Sequence, residues 1–181
     1  MNRFAKVKAC LRTLGYSSLS SDNFEDKLLI QKIVYLLSLQ GLELGYPYGL
    51  YFRGPYSPAL TRDIYDHGQE LRYLESEYAL SVPEVQKIEE FMDIMELRPA
   101  QLEVAATYAY FAYERGEAAS AATASVRRMK GFYPEAQIAL GISKAKQLLY
   151  RPTAEEARRL KKETELWENA SEADLDDGAD G

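Results

Sequence analysis

The chain has 181 residues, 46% of them hydrophobic and 28% charged, the balance of a single globular domain, which excludes collagen-like, disulfide-stapled and wholly disordered classes. A chain of this length buries on the order of 70% of its unfolded surface, so its core needs neither metal nor disulfide. The formal net charge of -6 resides in the C-terminal part: residues 1–152 balance at 18 Lys+Arg against 18 Asp+Glu, and residues 153–181 carry 4 against 10. We therefore expect a domain over 1–152 and an acidic C-terminal tail over 153–181, helical at its start and then disordered. The lone cysteine, Cys10, cannot form an internal bridge. MNRFAKVKAC has no apolar run of signal-peptide length, and nowhere do ~18 apolar residues run together as a membrane span needs. The expected setting is a reducing cytoplasm with no membrane partner.

The first predicted helix covers about 3 to 14, where Phe4, Val7, Leu11 and Leu14 share a face, and Gly15 stops it. Asp22 with Glu25 reads as a capping box opening a second helix that runs to about Gln40. Its interior, LLIQKIVYLLSL, is apolar almost all round, as the central helix of a fold would be. From Gly41 to Pro58 the pattern changes to glycine-punctuated aromatics. YGLYF at 48–52 suits a strand, with Leu42 to Tyr46 as its partner in a small hairpin. Gly54-Pro55 reads as a turn, and Ser57-Pro58 as the N-cap and first residue of a third helix carrying Leu60, Ile64, Tyr65 and His67. Ser81 with Glu84 is a second capping box, followed by an amphipathic helix whose apolar stripe is Val85, Ile88, Met92 and Met95. Pro99 starts a helix to about 115 with a small-residue face of Leu102, Ala105, Ala106, Ala109 and Ala112. An Ala/Ser-rich helix covers 117–130, and Pro134 opens a last one to about Tyr150. In the tail, Ala157, Leu160, Thr164 and Trp167 form a thin helical stripe.

The predicted class is therefore mainly α: a compact multi-helix domain around a central hydrophobic helix, with a small β-hairpin between the second and third helices. Three kinds of chemistry compete. Six of the fourteen tyrosines fall between 46 and 73, a density that suits a contact surface. Tyr46, Tyr48, Arg53, Tyr56 and Ser57 are the predicted partner-binding residues, with Arg53 as the polar anchor. Over 127–151, Arg127, Arg128, Lys130, Lys144, Lys146 and Arg151 face only Glu135. With Phe132 and Tyr133 this stretch is a candidate nucleic-acid surface for which the acidic tail would compete. Asp63, Asp66 and His67 could serve an unrecognised hydrolase, because a carboxylate four residues before a histidine can orient a general base. No nucleophile or phosphate-cradling motif accompanies them, and one His and one Cys give no zinc spacing. No catalytic residue, metal or cofactor is predicted.

The order of features over 24–66 resembles the Panacea domain family, the SocA-like proteins, and especially their YwgA-type relatives. Lys27, Leu28, Lys32, Ile33 and Tyr35 match the family's helix pattern, and Gly54, Pro55, Tyr56, Ser57 and Pro58 match its turn. The resemblance implies a small, mostly helical fold with a short hairpin, often encoded by mobile elements. It also implies an antitoxin-like or proteolytic-adaptor-like protein that grips a protein partner such as a toxin. Arg53 and the acidic tail depart from the antitoxin pattern. Together these readings predict a non-enzymatic protein-binding module.

Overall fold

A computed structural model describes residues 3–151 together with 154–156, 158, 159, 161 and 162. The chain divides into two units, Met1–Leu149 and Tyr150–Gly181. In the second unit the described residues from 154 onward are helical. The stripe of Ala157, Leu160, Thr164 and Trp167, and the expected disorder of 171–181, lie outside the described residues.

The first unit is mainly helical, with a two-stranded antiparallel hairpin between its second and third helices. Helix α1 (Arg3–Thr13) ends as expected before Gly15, which takes a positive φ of 93°. Helix α2 (Phe24–Leu39) is capped by Asn23, whose side chain accepts from the amides of Glu25 and Asp26. The cap expected at Asp22 lies one residue later, where Asn23 Oδ1 takes the two amides. Every residue of α2 from Leu28 to Leu37 is buried, so the all-round apolar pattern marks a central helix.

The hairpin pairs β1 (Gly49–Tyr51) with β2 (Gly54–Tyr56), in the register Gly49 with Tyr56 and Tyr51 with Gly54. Leu42 to Tyr46, expected as a strand partner, instead alternates inward and outward against the core: Leu42, Leu44 and Tyr46 are buried, and Glu43 and Gly45 are exposed. Gly54-Pro55, expected as a turn, lies in β2, and Phe52-Arg53 makes the turn. Helix α3 (Pro58–Asp66) starts at the Ser57 cap as predicted, and His67 joins it to the short α4 (Gly68–Leu71).

Helix α5 (Val82–Ile94) begins at Ser81, whose amide donates to the Glu84 carboxylate at 2.8 Å. Burial raises the Glu84 pKa, but Lys6 and Ser81 outweigh it and hold the group at about 2. Of the expected stripe, Ile88 and the C-cap Met95 are buried and Val85 is half-buried, but Met92 is 45% exposed and Phe91 takes its place inside. Helix α6 (Pro99–Ala109) is buried along Gln101–Ala109 and ends in a π-helical turn, Tyr110–Glu114, where an unbroken α-helix was expected. That turn presents Glu114 to the Tyr35 hydroxyl, which donates to it at 2.6 Å. Helices α7 (Ala119–Lys130) and α8 (Glu135–Leu149) complete the unit.

The core joins α1, α2, α6 and α8. Cys10 lies in it, and burial pushes its thiol up to about 12, so it is an inert packing residue. Helices α6 and α8 meet at Gly141, where an added Cβ would sit 2.6 Å from Val104 Cγ1. Gly141→Ala is therefore expected to destabilise the protein by about 1–3 kcal/mol through overpacking. Urea denaturation should show a lower midpoint with an unchanged slope.

Candidate binding groove beside the hairpin

Phe24, Lys27, Leu28 and Gln31 recur at three and four along α2 and so share one face. The hairpin lies beside that face with Tyr51, Phe52, Arg53, Gly54 and Tyr56, and α3 adds Thr61 and Tyr65. Together with Lys32 they line an open groove of about 380 Å³, within the size range of ligand pockets. Its rim is aromatic and wet: Phe24 is 60% exposed, Tyr51 52%, Phe52 82% and Tyr65 55%.

Buried polar side chains fix the groove's walls. The Gln31 amide accepts from the Ser57 amide at 2.9 Å and donates to the Ser57 carbonyl and the Thr61 hydroxyl, each at 2.9 Å. This ties the start of α3 to α2 with few unmet bonds, as buried amides require. The Lys32 ammonium donates to the Pro55 carbonyl at 2.6 Å and so ties β2 to α2. Gly54 has φ of 90°, and an added Cβ would meet Thr107 Oγ1 at 2.5 Å, so both backbone shape and close approach to α6 demand glycine.

Behind the hairpin, Glu103 of α6 is completely buried. Its carboxylate accepts from Lys130 Nζ at 2.6 Å, from Arg53 Nε at 3.1 Å and Nη2 at 2.8 Å, and from the Tyr133 hydroxyl at 3.2 Å. Two cations, Arg53 and Lys130, thus pair with one carboxylate, and the buried Lys32 feels the charges of all three. Burial lowers the Lys32 ammonium to about 7; Glu103 opposes this, and repulsion from Lys130 and Arg53 adds to it. Burial also lowers Lys130, against the stabilising bond to Glu103. Arg53 is raised: its burial penalty is outweighed by Glu103.

Of the predicted partner-binding residues, Arg53 and Tyr56 line the groove. Tyr56 meets the Tyr51 ring edge-on at 5.0 Å. Tyr46 and Ser57 are not surface residues. Tyr46 is 8% exposed and its hydroxyl donates to Asp63 at 2.7 Å; Ser57 is fully buried as the α3 cap. Both lie inside because the alternating segment 42–46 and the Gln31 bonds draw them there. Tyr48 is half-buried, its ring 4.8 Å from that of Tyr35. The sequence reading missed the buried ion pair of Lys130 with Glu103 and the burial of Lys32 beside it. A signal existed, because Glu103 is the only charged residue between Arg98 and Glu114.

The basic stretch is divided among different tasks. Lys130 is not an accessible cation: it is fully buried because Glu103 compensates its charge. Arg127 pairs with Glu135, its Nε at 2.9 Å, and Arg128 donates to the Ser125 hydroxyl at 3.1 Å. Lys144 is half-buried, and Lys146 lies 5.6 Å from the Tyr108 ring centre. In the histidine region, Asp63 is bound by Arg3 at 2.9 Å and by Tyr46, while His67 Nδ1 lies 2.9 Å from Glu70 Oε1 and its ring stacks on Phe4. Burial raises Asp63, and the bonds from Arg3 and Tyr46 outweigh it, leaving the group below its ordinary value. Asp66 is exposed.

Among the described residues, no three His, Cys, Asp or Glu side chains cluster to hold a metal, and no helix is long and apolar enough to cross a membrane. Comparison with known proteins finds no matching family model, no matching curated protein and no matching solved structure.

Proposed function

We propose that this protein is a non-enzymatic protein-binding module that holds a partner polypeptide in the groove between α2, the hairpin and α3. The observation that carries the reading is the groove's aromatic rim. Four large rings, Phe24, Tyr51, Phe52 and Tyr65, are each more than half exposed around one cavity. A contiguous apolar patch of this kind marks a site of association, and aromatic side chains supply contact area at low entropic cost. The polar contacts of Gln31 and Lys32 hold the surface in shape before a partner arrives, which reduces the ordering that binding must impose. The resemblance of residues 24–66 to the Panacea family supports an antitoxin-like or adaptor-like task, with a toxin or a protease substrate as the partner.

The test is affinity capture from the native host by the full chain, in parallel with Phe52→Ser and Tyr65→Ser. A stoichiometric protein that survives high salt and is lost with either variant is the expected result, because an aromatic interface resists salt. Recovery of nucleic acid alone, and none at high salt, would overturn the reading, since phosphate-driven binding falls steeply with salt.

A further inference from the structure

We propose that the groove recognises the C-terminal residue of a partner polypeptide, taking its free carboxylate at the lysines of α2 and its apolar side chain against the aromatic walls. This rests on the protein-binding reading of the same groove and names what the groove selects.

Charge complementarity decides the class of occupant. Lys27, Lys32 and Arg53 line the cavity, and no aspartate or glutamate does. Arg53 already holds a carboxylate, that of Glu103. The two lysines hold none: Lys27 donates to the Tyr65 hydroxyl at 2.8 Å and Lys32 to the Pro55 carbonyl at 2.6 Å. Both acceptors are neutral, and an ammonium has three hydrogens to donate. Lys32 is 1% exposed, and a cation so buried without a carboxylate of its own is strongly favoured by an incoming anion.

The remaining walls narrow the occupant further. Phe24, Leu28, Tyr51, Phe52, Tyr56 and Tyr65 demand an apolar body beside that anion. A polypeptide's last residue carries both on one unit, a carboxylate next to its own side chain. It also enters a cavity as a chain end, whereas an internal acidic segment must pass in and out past the buried lysine. The tyrosine hydroxyls and Thr61 add donors at the edge, but the cavity wall is too apolar for the second charge of a nucleotide phosphate.

Binding should draw a proton. Lys32 faces Glu103 from α6, Lys130 from α7 and Arg53 from the hairpin turn; Lys27, Tyr51, Tyr56 and Tyr65 complete the groove. Burial lowers Lys32 to about 7, and a bound carboxylate raises it. Affinity is then constant below pH 7 and falls above it, by about tenfold per pH unit at most, because each complex must take up a proton.

The experiment titrates the full chain with N-acetylated tetrapeptides ending in phenylalanine or leucine, each as free acid and as amide. Chemical shifts of the Phe52, Arg53, Gly54 and Tyr56 amides report occupancy. The expected result is that the amides bind about tenfold or more weakly than the acids, the scale of a charge-assisted hydrogen bond. Lys32→Met should weaken the acid more than the amide and so close most of the gap between them, and the acid alone should show the loss of affinity above pH 7. Equal binding of acid and amide would overturn C-terminal recognition and leave the groove as a protein site. Binding of neither form would also overturn it, the broader reading then standing or falling with the Phe52→Ser and Tyr65→Ser captures. Adenosine monophosphate shifting the same amides at lower concentration than the acids would assign the groove to nucleotides instead.

Discussion

Glu103→Leu is expected to lower folding stability by about 3–5 kcal/mol, the cost of leaving a buried charge without its partner. Lys130 is the residue left stranded: its side chain is fully buried and its ammonium bonds to Glu103 at 2.6 Å. Arg53 suffers less, since its side chain is 38% exposed and can turn toward water. A domain of this size has about 5–15 kcal/mol in total, so the variant should unfold at a much lower urea concentration. Adding Lys130→Met should recover most of the loss, because an apolar pair of similar volume tolerates the same interior. A single variant as stable as the parent would show that the carboxylate does not hold the cluster together. The same experiment reports on the hairpin. Arg53 reaches Glu103 from the turn between β1 and β2, so the single variant should also loosen the Tyr51 and Gly54 amides, paired across the hairpin, to hydrogen exchange.

Lys32→Met is expected to act in the opposite direction and raise stability near neutral pH. The folded-state pKa of Lys32 is lowered to about 7, whereas an unfolded lysine titrates near ~10.4. Above both values the group is neutral in each state and contributes nothing. As pH falls from about 10 to 7, the unfolded chain binds a proton that the folded chain does not, and stability drops by about 1.4 kcal/mol per pH unit. Below 7 both states are protonated and the loss is constant. Lys130, also lowered, adds a slope of the same sign. Urea unfolding at intervals between pH 7 and 9.5 should therefore show a positive slope of stability with pH that Lys32→Met reduces. An unchanged slope would mean that the Lys32 ammonium stays charged inside the fold. A buried amine that costs stability, at the wall of an aromatic groove, is where a site would be sought on physical grounds.

Much of this was legible locally. The caps at Ser57 and Ser81, the helix ends at Gly15 and Gly131, and the all-round apolar run of α2 need only neighbours within a turn or two, so they follow from spacing. The hairpin register was not. The strand pattern at 48–52 is real, but Leu42, Leu44 and Tyr46 alternate equally well. Only packing on α2 and α6 chose β2 as the partner of β1, by way of Gly54 against Thr107 and Pro55 against Lys32. The aromatic residues were recognised as a group, yet their division into core and surface could not be. Tyr46 turned inward to Asp63, while Phe52, which lies between Tyr48 and Arg53 but was not in the proposed set, became the most exposed ring of the groove.

The sequence by itself determined a mainly helical domain, its central helix and a short aromatic hairpin after it, because periodicity and capping act over three or four residues. Tertiary structure alone decided which charges are inside. Lys32, Arg53, Glu103 and Lys130 stand far apart along the chain and converge behind one hairpin. Lys130 in particular sits in a basic run that reads as solvated surface. Burial of a charge depends on a compensating partner brought near by folding, and no local pattern records that partner's distance.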